Sequence, residues 1–216
     1  LDWNEREEII RRETIPPADN DILGHVKVHI DQQFGVYTQL LTDNSDPDYP
    51  LEIAVIPPRL DHDYYTLVTV GLSRHRMGFP EERREEKLER AELLINLPRD
   101  WKLTKVDCRE ELWSWPIRMM LATAHFAMED PEVGLESRTT LMEGEDGIPF
   151  AENMDLRGEI LLCPGVFGAD SFFCRLPDGD EVNFYQVIPL YREEIQYKLE
   201  HGSDALLDLC PDESLE

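Results

Sequence analysis

Several groups of residues in this chain have the types and spacing that chemistry uses. His25 and His29 stand four apart, which lets two imidazoles on one helix face share a metal. No acid follows the first histidine and no third ligand is evident, so half-buried or surface histidines are the plainer reading. Gly71-Leu72-Ser73-Arg74-His75 follows a strand signal and has the outline of a nucleophile elbow. That motif needs glycine where His75 stands, because the backbone must turn tightly enough to expose the serine, and neither base nor oxyanion donors are placed around it. Asp61 with Asp63, Asp178 with Asp180, and Glu193 with Glu194 could serve glycoside chemistry only if two carboxyls converged at ~5 to 10 Å in a cleft. With 46 acids in the chain, such pairs arise by chance and are read as solvated surface. Trp101, Trp113 and Trp115 would make a stacking platform for bases, but a core role suits their size and the negative field around them. A glycine-rich phosphate loop is absent. No catalytic, cofactor or metal residue is therefore assigned, and the enzymatic alternative is a hydrolase using an acid pair or Ser73.

The elements that would position these residues centre on Tyr64 to Trp101. Two strand signals, Tyr65 to Gly71 and Arg90 to Pro98, bracket the charged connection Pro80 to Glu89, where Glu86 and Arg90 are spaced as a surface pair four apart. The first strand is apolar on both faces and should lie inside a sheet with cover on each side. Before it, Trp3 to Glu13 reads as a charged helix. Ile22, Val26, Ile30 and Phe34 repeat at helical spacing, and Gly35 stops that helix with a left-handed cap. Val36 to Leu41 and Leu51 to Ile56 read as strands on either side of a polar loop. After it, Trp115 to Met128 reads as a largely buried helix, with Ser114 as its cap and Pro116 in its first turn. Glu129 to Glu159, with ten acids against two bases, is a loop or an excursion carrying a recognition surface. Strands follow at Glu159 to Cys163 and Ser171 to Leu176. A hairpin turn at Pro177 to Asp180 leads to Glu181 to Ile188, a strand that Pro189 ends. A helix over Leu190 to Leu199 and a short one over Asp204 to Cys210 close the chain before an acidic tail.

The totals limit what such a chain does. At 216 residues, 41% hydrophobic and 31% charged, it has the length and composition of one globular domain, and no apolar run approaches the ~18 residues of a membrane span. No charged start followed by an apolar run reads as a signal peptide. Cys108, Cys163, Cys174 and Cys210 contain no Cys-x-x-Cys pair and read as thiols of a reducing compartment, so the cytoplasm is expected. A net charge of −25 repels phosphate backbones and anionic lipid, which argues against nucleic-acid and membrane partners; it suits a basic partner, or else simply a surface kept soluble by its acids.

Four segments in the same order carry a family resemblance: Tyr64 to Ser73 with Met77; Arg90 to Leu93 with Leu97-Pro98-Arg99-Asp100-Trp101; Trp115-Pro116-Ile117; and Val187 to Glu194. Together they resemble the Suppressor of fused family, in particular its stand-alone bacterial members, over most of residues 50–205. The resemblance implies an α+β fold, with a mixed, mainly antiparallel central sheet and helices packed on it as a single domain. Residues 1–49 would then add N-terminal helices and a first strand to the same domain, and 206–216 an acidic tail. It also implies a non-catalytic protein-binding module without cofactor, with a protein or peptide partner; among bacterial relatives the proposed role is immunity against polymorphic toxins. No partner-binding residue is carried over.

Overall fold

The computed structural model describes residues 4–6, 17–104, 106–130, 132–144 and 147–209. Its nine strands are β1 (Asn4–Arg6), β2 (Gln39–Asp43), β3 (Leu51–Ile56), β4 (Tyr64–Val70), β5 (Ala91–Pro98), β6 (Thr140–Met142), β7 (Leu156–Leu162), β8 (Phe173–Arg175) and β9 (Glu181–Tyr191). The helices are α1 (Ile22–Gln33), α2 (Glu111–Glu129), α3 (Arg192–His201) and α4 (Ser203–Leu207). All strands join one sheet in the order β1-β2-β3-β4-β5-β9-β7-β6, with β8 paired to β9. Only β5 and β9 run parallel; the other pairings are antiparallel. The fold is thus the expected α+β single domain with a mixed, mainly antiparallel sheet.

β4 and β5 lie in the middle of the sheet and are covered on both faces, as the apolar character of β4 requires. Ala91, Leu93, Ile95 and Leu97 of β5 point to the layer closed by α2, where Ile117, Met120 and Ala124 are buried. Leu94 of β5 and Val68 and Val70 of β4 face α1, whose Val26, Ile30 and Phe34 form its inner stripe. Each of the larger of these side chains, valine upward in size, contributes roughly 1.5–3 kcal/mol once fully buried. α1 ends as expected: Gly35 has φ +119° and donates its N–H to Ile30 O, and a Cβ at that position would strike the Arg59 guanidinium. Ile160, Leu190, Ile195 and Leu206 form a smaller cluster under α3 and α4.

Several boundaries differ from expectation. Asn4–Arg6 is a strand paired antiparallel with the outer edge of β2; residues 3 and 7–13 of the expected helix lie outside the described residues. The connection Glu81–Glu86 is 3₁₀ rather than α-helical, and Glu86 pairs with Arg83 instead of Arg90. Helix α2 begins one turn before Ser114, whose amide and hydroxyl both donate to Glu110 O, so that Pro116 falls in the second turn. Part of the 129–159 excursion pairs into the sheet as β6. Strand β9 runs through Pro189, which lies past the Asn183–Gln186 stretch paired with β5 and opposes Glu159 of β7 alone, so its missing N–H interrupts little.

The tightest constraint in the core is polar. The β4–β5 pairing stops at Val68 opposite Leu94, and beyond it the Glu92 carboxylate plugs the opening. Its Oε1 accepts from Gly71 N–H at 2.9 Å, Ser73 N–H at 3.1 Å and the Ser73 hydroxyl at 2.6 Å; its Oε2 accepts from the Thr69 hydroxyl at 2.6 Å. Thr69 Oγ1 in turn accepts the Leu93 N–H, replacing a backbone partner. Burial pushes the Glu92 pKa up, and the four donors pull against that. Two residues back, Arg90 donates to Ser73 O and Arg74 O and pairs with Asp180. The 71–74 turn is therefore held by a carboxylate on its N–H groups and a guanidinium on its carbonyls. Glu92→Gln keeps the shape but sets an N–H2 donor among donors, so urea unfolding should show a loss of about 2–4 kcal/mol; an unchanged midpoint would contradict this account of the turn.

Candidate binding groove

None of the groups with apparent chemical promise assembles into a reactive set. Ser73 is wholly buried, and its hydroxyl proton is committed to Glu92. His75, two residues on, has its pKa lowered by burial and by the charge of Arg90. Asp61 and Asp63 point to different cations, Arg59 and Arg99, on the surface. Asp178 accepts the Asp180 N–H within the hairpin turn, and Asp180 takes Arg90 and Arg76. Glu194 accepts the Tyr191 N–H at the start of α3. His29 is stacked on Phe184 with ring centroids 4.7 Å apart, and burial lowers its pKa while a contact to Ser171 O opposes that. Cys174 donates to His25 O. His29 is thus a packing residue of the α1 layer, whereas His25 is half-buried and its Nε2 has no partner among the described residues.

The tryptophans are also structural. Trp101 donates its indole N–H to Trp113 O and meets both Trp113 and Trp115 edge to face. Trp115 is buried and stacks parallel on Phe150, with centroids 5.5 Å apart and the planes 3° from parallel. That stack is one wall of a groove of about 550 Å³ running between α2, β6 and the 148–150 segment. Met119 and Phe126 come from α2, Leu141 and Met142 from β6, and Ile148 from the loop. Phe126 is 47% exposed and Ile148 53%, although both are large and apolar. Arg118 keeps the loop in place by donating to Phe150 O at 2.9 Å and pairing with Glu111.

The groove is lined by one buried charge-bearing group, Glu159 of β7. Only 2% of this residue is exposed; Thr123 donates to its Oε1, and Oε2 has no partner among the described residues. Burial raises its pKa to about 7, against the smaller opposing effect of the Thr123 bond. The other ionisable residues lining the groove are Glu111, Arg118 and Glu143. The lining is largely apolar, and Glu159 is its one buried carboxyl. Sequence reasoning located the excursion that carries half of the groove but missed Glu159, whose only signal was an acid opening an aliphatic strand.

The raised pKa has a stability consequence. Folded Glu159 holds its proton up to about pH 7 whereas the unfolded chain releases it near 4.5, so its contribution is full below the unfolded value and is lost as pH rises through 7. The difference is on the order of 3 kcal/mol. Glu159→Gln should therefore be more stable than wild type in urea at pH 8 and nearly equal at pH 4.5; equal stability at both would remove the assignment.

Comparison with known proteins agrees with the fold just described. The family described as Suppressor of fused protein (SUFU) matches residues 47–214. No curated protein sequence matches significantly. A Suppressor of fused homologue from Neisseria gonorrhoeae superposes with a TM-score of 0.60 at 14% identity, covering 87% of each chain. The Sufu–Fu complex crystal structure gives a TM-score of 0.52 at 16% identity, over 89% of this chain and 83% of that one. Drosophila Suppressor of fused gives 0.55 at 15% identity, over 89% of this chain but 46% of that chain. At these identities the structures share the fold alone, but the family match spans most of the sequence: the chain belongs to the Suppressor of fused family.

Proposed function

We propose that this chain is a non-catalytic protein-binding module whose docking face is the groove between α2, β6 and the 148–150 segment. The observation that carries the proposal is the combination of exposed Phe126 and Ile148 with an unpaired buried carboxyl at Glu159. A partner segment with an apolar anchor beside a basic side chain complements both. β6 is the last strand of the sheet path and borders the groove, so an extended segment can also add to its free edge. The net charge of −25 would speed encounter with a basic partner and fix its orientation. A family member has been crystallised in a Sufu–Fu complex, which fits a binding role. Commitment of the Ser73 hydroxyl to Glu92 and the dispersal of the acid pairs support the non-enzymatic reading over the hydrolase one. No helix among the described residues is long and apolar enough to cross a membrane; we place the protein in the cytoplasm on its cysteine usage.

Within this reading, immunity against a basic polymorphic toxin is the narrower proposal. A neighbouring reading frame encoding such a toxin, neutralised when this chain is co-expressed, would support it; a toxin that stays lethal would remove it and leave the binding role standing. The groove itself is tested with a partner purified from the host. Phe126→Ala and Ile148→Asp, both at exposed positions, should each weaken binding at least tenfold by titration calorimetry while leaving the melting temperature within a few degrees. Retention of full affinity by both variants would place the docking face elsewhere.

A further inference from the structure

On the side of α2 away from the sheet centre, helix and loop bring together residues of another chemistry. His125 and Glu129 stand one turn apart on α2, and Asp46 reaches them from the loop between β2 and β3; each offers a ligand-type atom, and these atoms lie within 4.8 Å of one another. We propose that Asp46, His125 and Glu129 bind a first-row divalent cation of the zinc type, clamping the 44–50 loop to the C-terminal end of α2. This site is separate from the groove and does not depend on the proposed binding role.

Three observations support it. The donor set is one imidazole and two carboxylates, the usual count of protein ligands at a zinc site that keeps a position for water. The imidazole is already held by an outer carboxylate: Nε2 lies 2.9 Å from Oδ2 of Asp43, whose side chain is almost fully buried and fixed by the Ser45 N–H and hydroxyl. An outer carboxylate of this kind fixes the orientation of a ligating ring. The other ring nitrogen, Nδ1, is buried and has no partner among the described residues, an unspent lone pair in a place where buried polar atoms are ordinarily satisfied. The surroundings favour a cation as well. Asp46 and Asp48 come from the loop and Asp43 from the end of β2, and the negative end of the α2 dipole adds to Glu129 and Asp130. Neither Asp46 nor Glu129 has an ion-pair partner among the described residues.

The test uses the full chain, stripped with chelator and titrated with Zn²⁺ by calorimetry. About one equivalent should bind in the micromolar range or tighter and raise the melting temperature. His125→Ala and Glu129→Gln should each weaken binding at least tenfold, and Asp43→Asn, which keeps all three ligands, by roughly ten- to a hundredfold. Glu129 is exposed, so its variant should melt like the metal-free wild type and keeps the test valid if changes at His125 disturb folding. Co²⁺ in place of Zn²⁺ should show visible absorption that His125→Ala removes. Absence of binding overturns the proposal, and so does equal binding by wild type and both ligand variants, which would mark scattered surface carboxylates. Displacement of Zn²⁺ by equimolar Ca²⁺ would likewise overturn it, by assigning the site to an oxygen-only cation.

Discussion

Glu92 is the residue on which the arrangement turns, because a carboxylate in the middle of an aliphatic sheet survives only if its surroundings supply donors. Those donors come from one short stretch, Thr69 to Ser73, and their convergence fixes where β4 stops and how the chain leaves the sheet. Gly71 is required there: its φ is +137°, and a Cβ would meet Pro50 O at 2.8 Å. Arg90, immediately before β5, holds the carbonyl side of that turn and ties it to Asp180 at the β8–β9 hairpin. The start of β5 thus positions two distant segments, 69–74 and the hairpin at Asp180, through two charged side chains, and the aliphatic layers close over the result.

The same constraint fixes what the residues around it are used for. The serine that resembles a nucleophile is spent on holding a turn, with no solvent access. Two buried groups without a partner among the described residues, Glu159 Oε2 and His125 Nδ1, lie beside α2. One side borders an open apolar groove with Glu159 buried in its lining, and the other presents His125 to the acidic β2–β3 loop. Because α2 is packed against the sheet through Ile117, Met120 and Ala124, both sides are displayed on a rigid support. Binding sites gain affinity from such pre-organisation.

Much of the fold was legible in the sequence because it rests on local pattern. The 3.6-residue repeat of Val26, Ile30 and Phe34 marked α1, and breakers bounded β3, β4 and β5 nearly to the residue. The family resemblance supplied the sheet type. What stayed hidden depends on residues far apart in the chain. Glu92 reads as one polar position in a strand until the turn at 71–74 folds back on it, and Arg90 was assigned to the surface because its partners lie 16, 17 and 90 residues away. The groove joins 115–126 to 141–159, and Asp46 meets His125 only after the sheet has formed. Pro116 and Pro189 misled for the opposite reason, since local rules placed boundaries that tertiary pairing overrode.

Hydrogen exchange on the full chain, with and without its purified protein partner, tests the central claim most directly, since it reports the docking face and the clamp at once. The account predicts slowed exchange over 115–126 and 140–150 on binding, with 69–74 strongly protected in both states. Slowed exchange confined to 71–75, or rapid exchange there in the free protein, would contradict it.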